Sequence, residues 1–175
     1  MITTPDSDEY GEYYENYISR VRGQDISALI ISQVEELRFF FKQISEEQSI
    51  KSYQEGKWTY KQLLGHINDT EKIMFFRALC LARKEQQPLP GFDQDVYVNA
   101  ANFNDASLSS LLDDFELTRR SISFFINNLS NEAASRQGVV NDQLMSVRAL
   151  LHIIPGHFEH HLGILKGIPQ TNTYK

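Results

Sequence analysis

The sequence predicts an all-α fold: a four-helix bundle in up-down-down-up order, with a long crossover between its second and third core helices and an N-terminal helical arm. Three observations carry this. Apolar residues recur at steps of three and four in five separate segments. No segment alternates as a strand should; Val139-Val140 and Val96-Tyr97-Val98 are too short. One connection, residues 85–106, is longer than compact domains usually carry. The 175 residues read as one domain, with the arm at 1–24 and the bundle at 25–169.

The elements follow in order. Tyr10, Tyr13, Tyr14, Tyr17, Ile18 and Val21 form the apolar face of a short helix that ends at Gly23. That face is mostly tyrosine, suited to a half-exposed surface that covers something. Asp25 is an N-cap for the first core helix, whose stripe is Ile30, Val34, Leu37, Phe41 and Ile44. Thr59 and Gln62 make a capping box, flanked by Trp58 and Leu63 as a hydrophobic staple. The second core helix carries Leu63, His66, Ile67, Thr70, Met74, Arg77, Ala78 and Leu81 on one face and fades near Lys84. After the crossover, Leu108, Leu111, Leu112, Phe115, Ile122, Ile126 and Leu129 mark the third. A polar loop runs from Ser130 to about Met145. Ser146 caps the last helix, with Val147, Leu150, Ile154, His157, His161 and Leu165 along one side and Gly167 and Pro169 as its stop.

Composition excludes several classes of function. Net charge is −6 with no basic block, which argues against nucleic acid and against an anionic membrane surface. No apolar run approaches the roughly 20 residues of a membrane span. The N-terminus lacks the basic and apolar regions of a signal peptide. The single cysteine, Cys80, leaves no internal disulfide and no Cys-based zinc knuckle. A cytoplasmic location is expected.

Histidines carry the chemistry. Three of the five fall within GHFEHHLGI at 156–164. His157 and His161 are four apart, so they share one helix face. That face is the apolar one, where ring nitrogens need partners. His66 lies on the inner face of another helix. Three inward imidazoles from two helices form a facial triad suited to Zn²⁺, Ni²⁺ or Fe²⁺. His66 is near the start of its helix and His161 near the end of its own, so they come level if these helices are antiparallel. An up-down-down-up order makes them so and requires one long crossover. The 22 residues of 85–106 reach roughly 70 Å when extended, against about 39 Å for a helix of about 26 residues.

Neighbouring residues are candidates for supporting roles. His160 lies about 60° from His157 and about 100° from His161 around the helix, at the rim of the site or in solvent. Asp69, one turn after His66, is a candidate ligand, an acceptor for an imidazole N–H, a general base, or an exposed carboxylate. Arg77, on the core-facing stripe, is expected to pair with Asp114 or Glu116, or else to orient an anionic substrate. Cys80 lies about 21 Å along the helix from His66 and is neither ligand nor nucleophile. His152 points away from the triad. Pro155-Gly156 should bend the last helix just before its histidines.

With these residues in view, the chain resembles the DinB superfamily, and within it the YfiT-like branch. The matching stretches are KWTYKQLLGHINDTEKIMFFRAL at 57–79, LPGFDQDVYV at 89–98 and SVRALLHIIPGHFEHHLGIL at 146–165. EYYENYISRV and SRQGVVN fit as well. The resemblance implies the same up-down-down-up bundle and a divalent metal held by His66, His157 and His161. It implies zinc or nickel first, with iron or manganese as further choices, and a homodimer. It also implies an enzyme: a metal-dependent hydrolase, or a thiol transferase using bacillithiol, mycothiol or glutathione. Many thiol-transferase-like members carry Gln shortly after the second histidine of the last helix. Here the run is HLGIL with Ile164, which counts against a thiol-specific reading.

The leading expectation is therefore a hydrolase acting on a small molecule through metal-activated water. A thiol S-transferase and a non-catalytic, metal-stabilised or metal-sensing bundle are the alternatives. Asp69 or His160 is the candidate proton handler. Phe92, Tyr97 and Phe103 are expected to wall a substrate site formed where the crossover and the 130–145 loop approach.

Overall fold

The structure, a computed structural model, describes residues 2–167. Pro169, the expected helix stop, lies outside them. A 3-10 turn at Glu12–Tyr14 leads into α1 (Glu15–Val21). The four core helices are α2 (Ile26–Phe41), α4 (Tyr60–Ala82), α6 (Leu108–Asn127) and α8 (Val147–Leu165), with short α3 (Glu46–Ser49), α5 (Gln94–Ala100) and α7 (Asn131–Ala134) between them. Caps set their starts: the side chain of Asp25 accepts from Ser27 N–H, Thr59 and Gln62 close a capping box, and Ser146 accepts from Ala149 N–H. Lys84, with φ of 66°, turns the chain off α4.

Two connections are more ordered than expected. The 130–145 segment is not a plain loop but holds α7 and an antiparallel hairpin, β1 (Gln137–Val140) paired with β2 (Gln143–Ser146). Its turn is Asn141-Asp142, both at positive φ, as a two-residue hairpin turn demands. The crossover holds α5, so Val96-Tyr97-Val98 is helical, and it is pinned to the hairpin by Leu89 N–H to Val139 O and Asn141 N–H to Leu89 O, both 2.9 Å.

Side-chain pairs across the helices fix the order. Arg38, late in α2, meets Asp113 and Glu116, early in α6, so these helices are antiparallel. Lys61 reaches Ala106 O while Lys72 meets Asp114, so α4 and α6 are parallel. Gln33 reaches Pro155 O while Lys166 meets Glu36, so α2 and α8 are parallel. His66, early in α4, meets His161, late in α8. The bundle is up-down-down-up.

The core has two apolar halves. One gathers Ile26, Ile30, Met74, Ala78, Ile122, Ile126, Leu150 and Ile154 with the arm. The other gathers Leu37, Phe41, Leu63, Ile67, Leu111, Phe115, Phe158 and Leu162. Between them runs a polar layer. Arg119, fully buried, donates to both Glu71 oxygens at 2.5 and 2.7 Å and to Gln33 Oε1 at 2.8 Å. Its guanidinium stands 5.3 Å from the Phe158 ring. Gln33 in turn donates to Pro155 O and, at 2.6 Å, to Glu159.

The arm lies on α8. Tyr14, Ile18 and Val21 are buried there, and a Cβ at Gly156 would run into the carbonyl oxygen of Tyr17. Arg148 clamps the start of the arm through Glu9, Asp6 and Thr3. Burial alone would raise the Glu9 carboxyl, but hydrogen bonds from Arg148, Ser146 and Asp6 override it and hold it at about 2.

Two outcomes are expected. Arg119→Met or Glu71→Gln alone should cost on the order of 3–5 kcal/mol, because each strands a buried charge or breaks its pairing. Arg119→Met with Glu71→Leu should recover much of that loss in denaturant melts. The depressed Glu9 value means its contribution is complete above the ordinary carboxylate pKa of 4.5 and is lost as pH falls toward about 2. Glu9→Gln should flatten the stability–pH curve in that window.

Candidate metal centre

Capping and packing aim the three histidines. The Thr59–Gln62 box starts α4, and Trp58 and Leu63 join the apolar half beneath it. His66 then falls on the inner face, with the Trp58 ring 4.9 Å away. On α8, Pro155 interrupts the backbone ladder and Gly156 admits the arm, just before His157 and His161. The Tyr17 ring stands edge-on to His157 at 5.3 Å.

The three Nε2 atoms converge. His157 and His161 are 3.0 Å apart, His66 and His157 3.1 Å, and His66 and His161 3.2 Å. Each Nε2 either donates or accepts, so three of them cannot all pair with one another. An ion about 2.1 Å from each nitrogen, at angles between tetrahedral and octahedral, sets them about 3.0–3.4 Å apart. The donor set therefore fits a divalent metal. Burial chiefly, then the neighbouring imidazoles, lowers the His66 pKa to about 4 and those of His157 and His161 well below the usual histidine value. The neutral ring is the form that binds metal. Thr70 Oγ1 lies 3.5 Å from His66 Nδ1, while the buried Nδ1 atoms of His157 and His161 have no hydrogen-bond partner among the described residues.

A cavity of about 290 Å³ opens beside the triad. His66, His157, Thr70, Met74, Arg77 and Ile153 form its floor, with Tyr13, Tyr14 and Tyr17 from the arm, Phe92 and Gln94 from the crossover, and Asn141 and Gln143 from the hairpin turn. Phe92 is one of the lining residues. Tyr97 stands behind it, ring to ring at 5.3 Å, and is not itself a lining residue. Phe103 packs against Gly65 in the other apolar half, away from the cavity. The charged neighbours of Asp69 are Lys72 and Asp114, and it does not line the cavity. His160 does not line the cavity either but adjoins the triad, 4.9 Å ring to ring from His161, with Arg20 Nη2 3.4 Å from its Nδ1.

Other expectations are corrected. Arg77 pairs with neither Asp114 nor Glu116; Lys72 and Asn68 take the first, Arg38 and Arg120 the second. The arm packs on α8 and its tyrosines Tyr13, Tyr14 and Tyr17 line the cavity, so the surface that the tyrosine face covers is the site. Tyr17, Trp58 and Thr70 enter the site although they were read only as arm, staple and stripe. His152 is buried and tied to Arg148 O at 2.8 Å, a structural role. Cys80 is packed at the core edge, and burial raises its thiol.

The DinB superfamily model matches residues 31–165. The chain belongs to the DinB superfamily. A relative from Oceanobacillus iheyensis, named "Putative metal-dependent hydrolase OB0413", is 25% identical over 167 residues, covering 94% of this chain and 86% of the relative. The structure of YfiT from Bacillus subtilis, described as a probable metal-dependent hydrolase with an unusual four-helix bundle topology, superposes with a TM-score of 0.75 at 15% identity. It covers 95% of this chain and 91% of that one. That likeness establishes the bundle, and this DinB-superfamily chain shares it.

The lone tryptophan offers a readout. Trp58 lies against His66, so titration with Ni²⁺ should change its fluorescence and saturate at one equivalent. His66→Ala should abolish both the change and the bound metal by elemental analysis, with helical circular dichroism retained.

Proposed function

We propose that this DinB-superfamily chain is a divalent-metal-dependent enzyme, with His66, His157 and His161 as ligands and hydrolysis of a small molecule as its reaction. The carrying observation is that the converging Nε2 atoms lie beside a cavity that His66 and His157 line, not inside a closed cage of protein ligands. Among the described residues, only these three His, Cys, Asp or Glu side chains gather as a possible ligand set. Catalytic sites typically have three protein ligands and an open position, whereas structural sites are closed. This favours catalysis over a metal-stabilised or sensing bundle. The hydrolase names borne by its relative and by YfiT support the same reaction class.

Bound at the triad, zinc or nickel, or iron or manganese in their place, supplies Lewis acidity that lowers the pKa of water or of a thiol. The chain's own residues do the rest. Thr70, Met74 and Phe92 shape the cavity, and the arm tyrosines shield it from bulk solvent. Of the two candidate proton handlers, His160 adjoins the triad, while Asp69 sits by Lys72 and Asp114. His160 is therefore the proposed group. A homodimer and a cytoplasmic location belong to the same proposal.

The test is a paired assay on zinc- and nickel-loaded protein: a panel of small esters and amides in water, and an electrophile with bacillithiol, mycothiol or glutathione. Hydrolysis that requires metal and falls by about a hundredfold or more in His160→Ala, with metal content intact, is expected. Turnover only with a thiol would assign the transferase chemistry instead. Turnover in neither arm would leave the non-catalytic bundle.

A further inference from the structure

Arg77 is the second buried arginine of the bundle, 3% exposed on the inner face of α4. Its bonding differs sharply from that of Arg119. Arg119 holds a bidentate carboxylate and an amide oxygen. Arg77 donates through Nη2 to Pro90 O at 2.6 Å and makes a weak contact through Nη1 to Met74 Sδ at 3.6 Å. Its guanidinium also stands 5.7 Å from the Phe92 ring centroid. A guanidinium has five N–H donors. Among the described residues, no ion pair reaches Arg77. A buried cation without a counter-charge is strongly disfavoured.

The cavity explains what Arg77 faces. It lines the same space as His66 and His157. On α4 the sequence His66, Thr70, Met74, Arg77 steps along one face, about 16 Å by helix rise. Helical side chains lean toward the N-terminus, and the Met74 contact shows the guanidinium leaning that way, back toward His66. Between the two ends stand Tyr14, Phe92 and the amides of Asn141 and Gln143. Among the described residues, no aspartate or glutamate lines this cavity, in a chain whose net charge is −6. The space thus has imidazoles at one end, an uncompensated cation at the other and aromatic walls between.

We infer that the substrate carries a carboxylate at the end remote from the reacting bond and that Arg77 binds it. This rests on the proposed metal-dependent reading of the same cavity. One guanidinium balances one negative charge, and its planar fork matches a carboxylate. The segment that carries Pro90, Gly91 and Phe92 supplies the backbone acceptor and the ring that hold the fork in place. About 290 Å³ limits the ligand to a small molecule.

The test uses phenylacetate and its neutral isostere phenylacetamide. Binding is followed by calorimetry and by the arginine side-chain ¹⁵N signals on the zinc-loaded chain. The acid should bind about tenfold or more tighter than the amide, as expected for one charge-assisted pair. Arg77→Met should abolish the preference. Arg77→Gln should do the same while retaining a donor for Pro90 O, which guards against a misfolded variant; thermal melts confirm folding. Arg77→Lys should keep part of it. Equal affinity for acid and amide, or no binding of either, overturns the inference. So does a preference that survives in folded Arg77→Gln. A preference that vanishes on stripping zinc with chelator but survives Arg77→Met places the anion on the metal and also overturns it. Elemental analysis of the same samples separates the two readings: a chain that takes up no metal defeats the proposed function, while the Arg77 preference is still read on it.

Discussion

One buried cation ties the bundle together. Arg119 leaves α6 and meets Glu71 on α4, Gln33 on α2 and the Phe158 ring on α8, so one side chain touches every core helix. Apolar contacts between helices are tolerant of sliding by a turn. A bidentate pair in a dry layer is not, because a shift strands charges where water cannot reach them. The layer adjoins the triad: Glu71 follows His66 by five residues on α4, and Phe158 follows His157 directly on α8. The register that satisfies Arg119 is thus the register that brings the three Nε2 atoms within 3.2 Å.

Topology does the remaining work. In a simple up-and-down bundle α4 and α8 would run parallel, and residues early in one would not meet residues late in the other. The crossover reverses that relation. It also stays at the site: Leu89 joins the edge of β1, and Gly91, Phe92 and Gln94 form part of the cavity wall. The segment that allows the antiparallel pairing therefore also encloses the space the pairing creates. The arm closes the other side, held by Arg148 at its start and by the tight approach at Gly156.

Much of this was legible in the sequence. Caps at Asp25, Thr59 and Ser146 gave the helix starts because each supplies a local oxygen to a local N–H, independent of tertiary context. The triad followed because histidine on an apolar stripe demands a partner. Less legible were features set by contacts far apart in the chain. The hairpin at 137–146 is stabilised partly by Leu89 from the crossover, so Val139-Val140 looked too short for a strand alone. Phe103 looked like a wall residue by its place in the crossover, but Gly65 offers it a seat on the opposite face of α4. The Arg119–Glu71 pair left no trace, since a single Arg or Glu on a helix is ordinarily a solvated one.

The two buried arginines show how pairing separates scaffold from site. Both are long cations on inward faces, and sequence pattern alone treats them alike. Asp114 and Glu116, the partners the sequence suggested for Arg77, pair instead with Lys72, Arg38 and Arg120. Glu71 is six residues before Arg77 on the same helix but faces Arg119. The charge left over lies in the cavity wall, where a counter-ion can enter from solvent and leave again. A cation satisfied within the fold holds helices in place, and one left unsatisfied beside an open space is placed to meet a ligand.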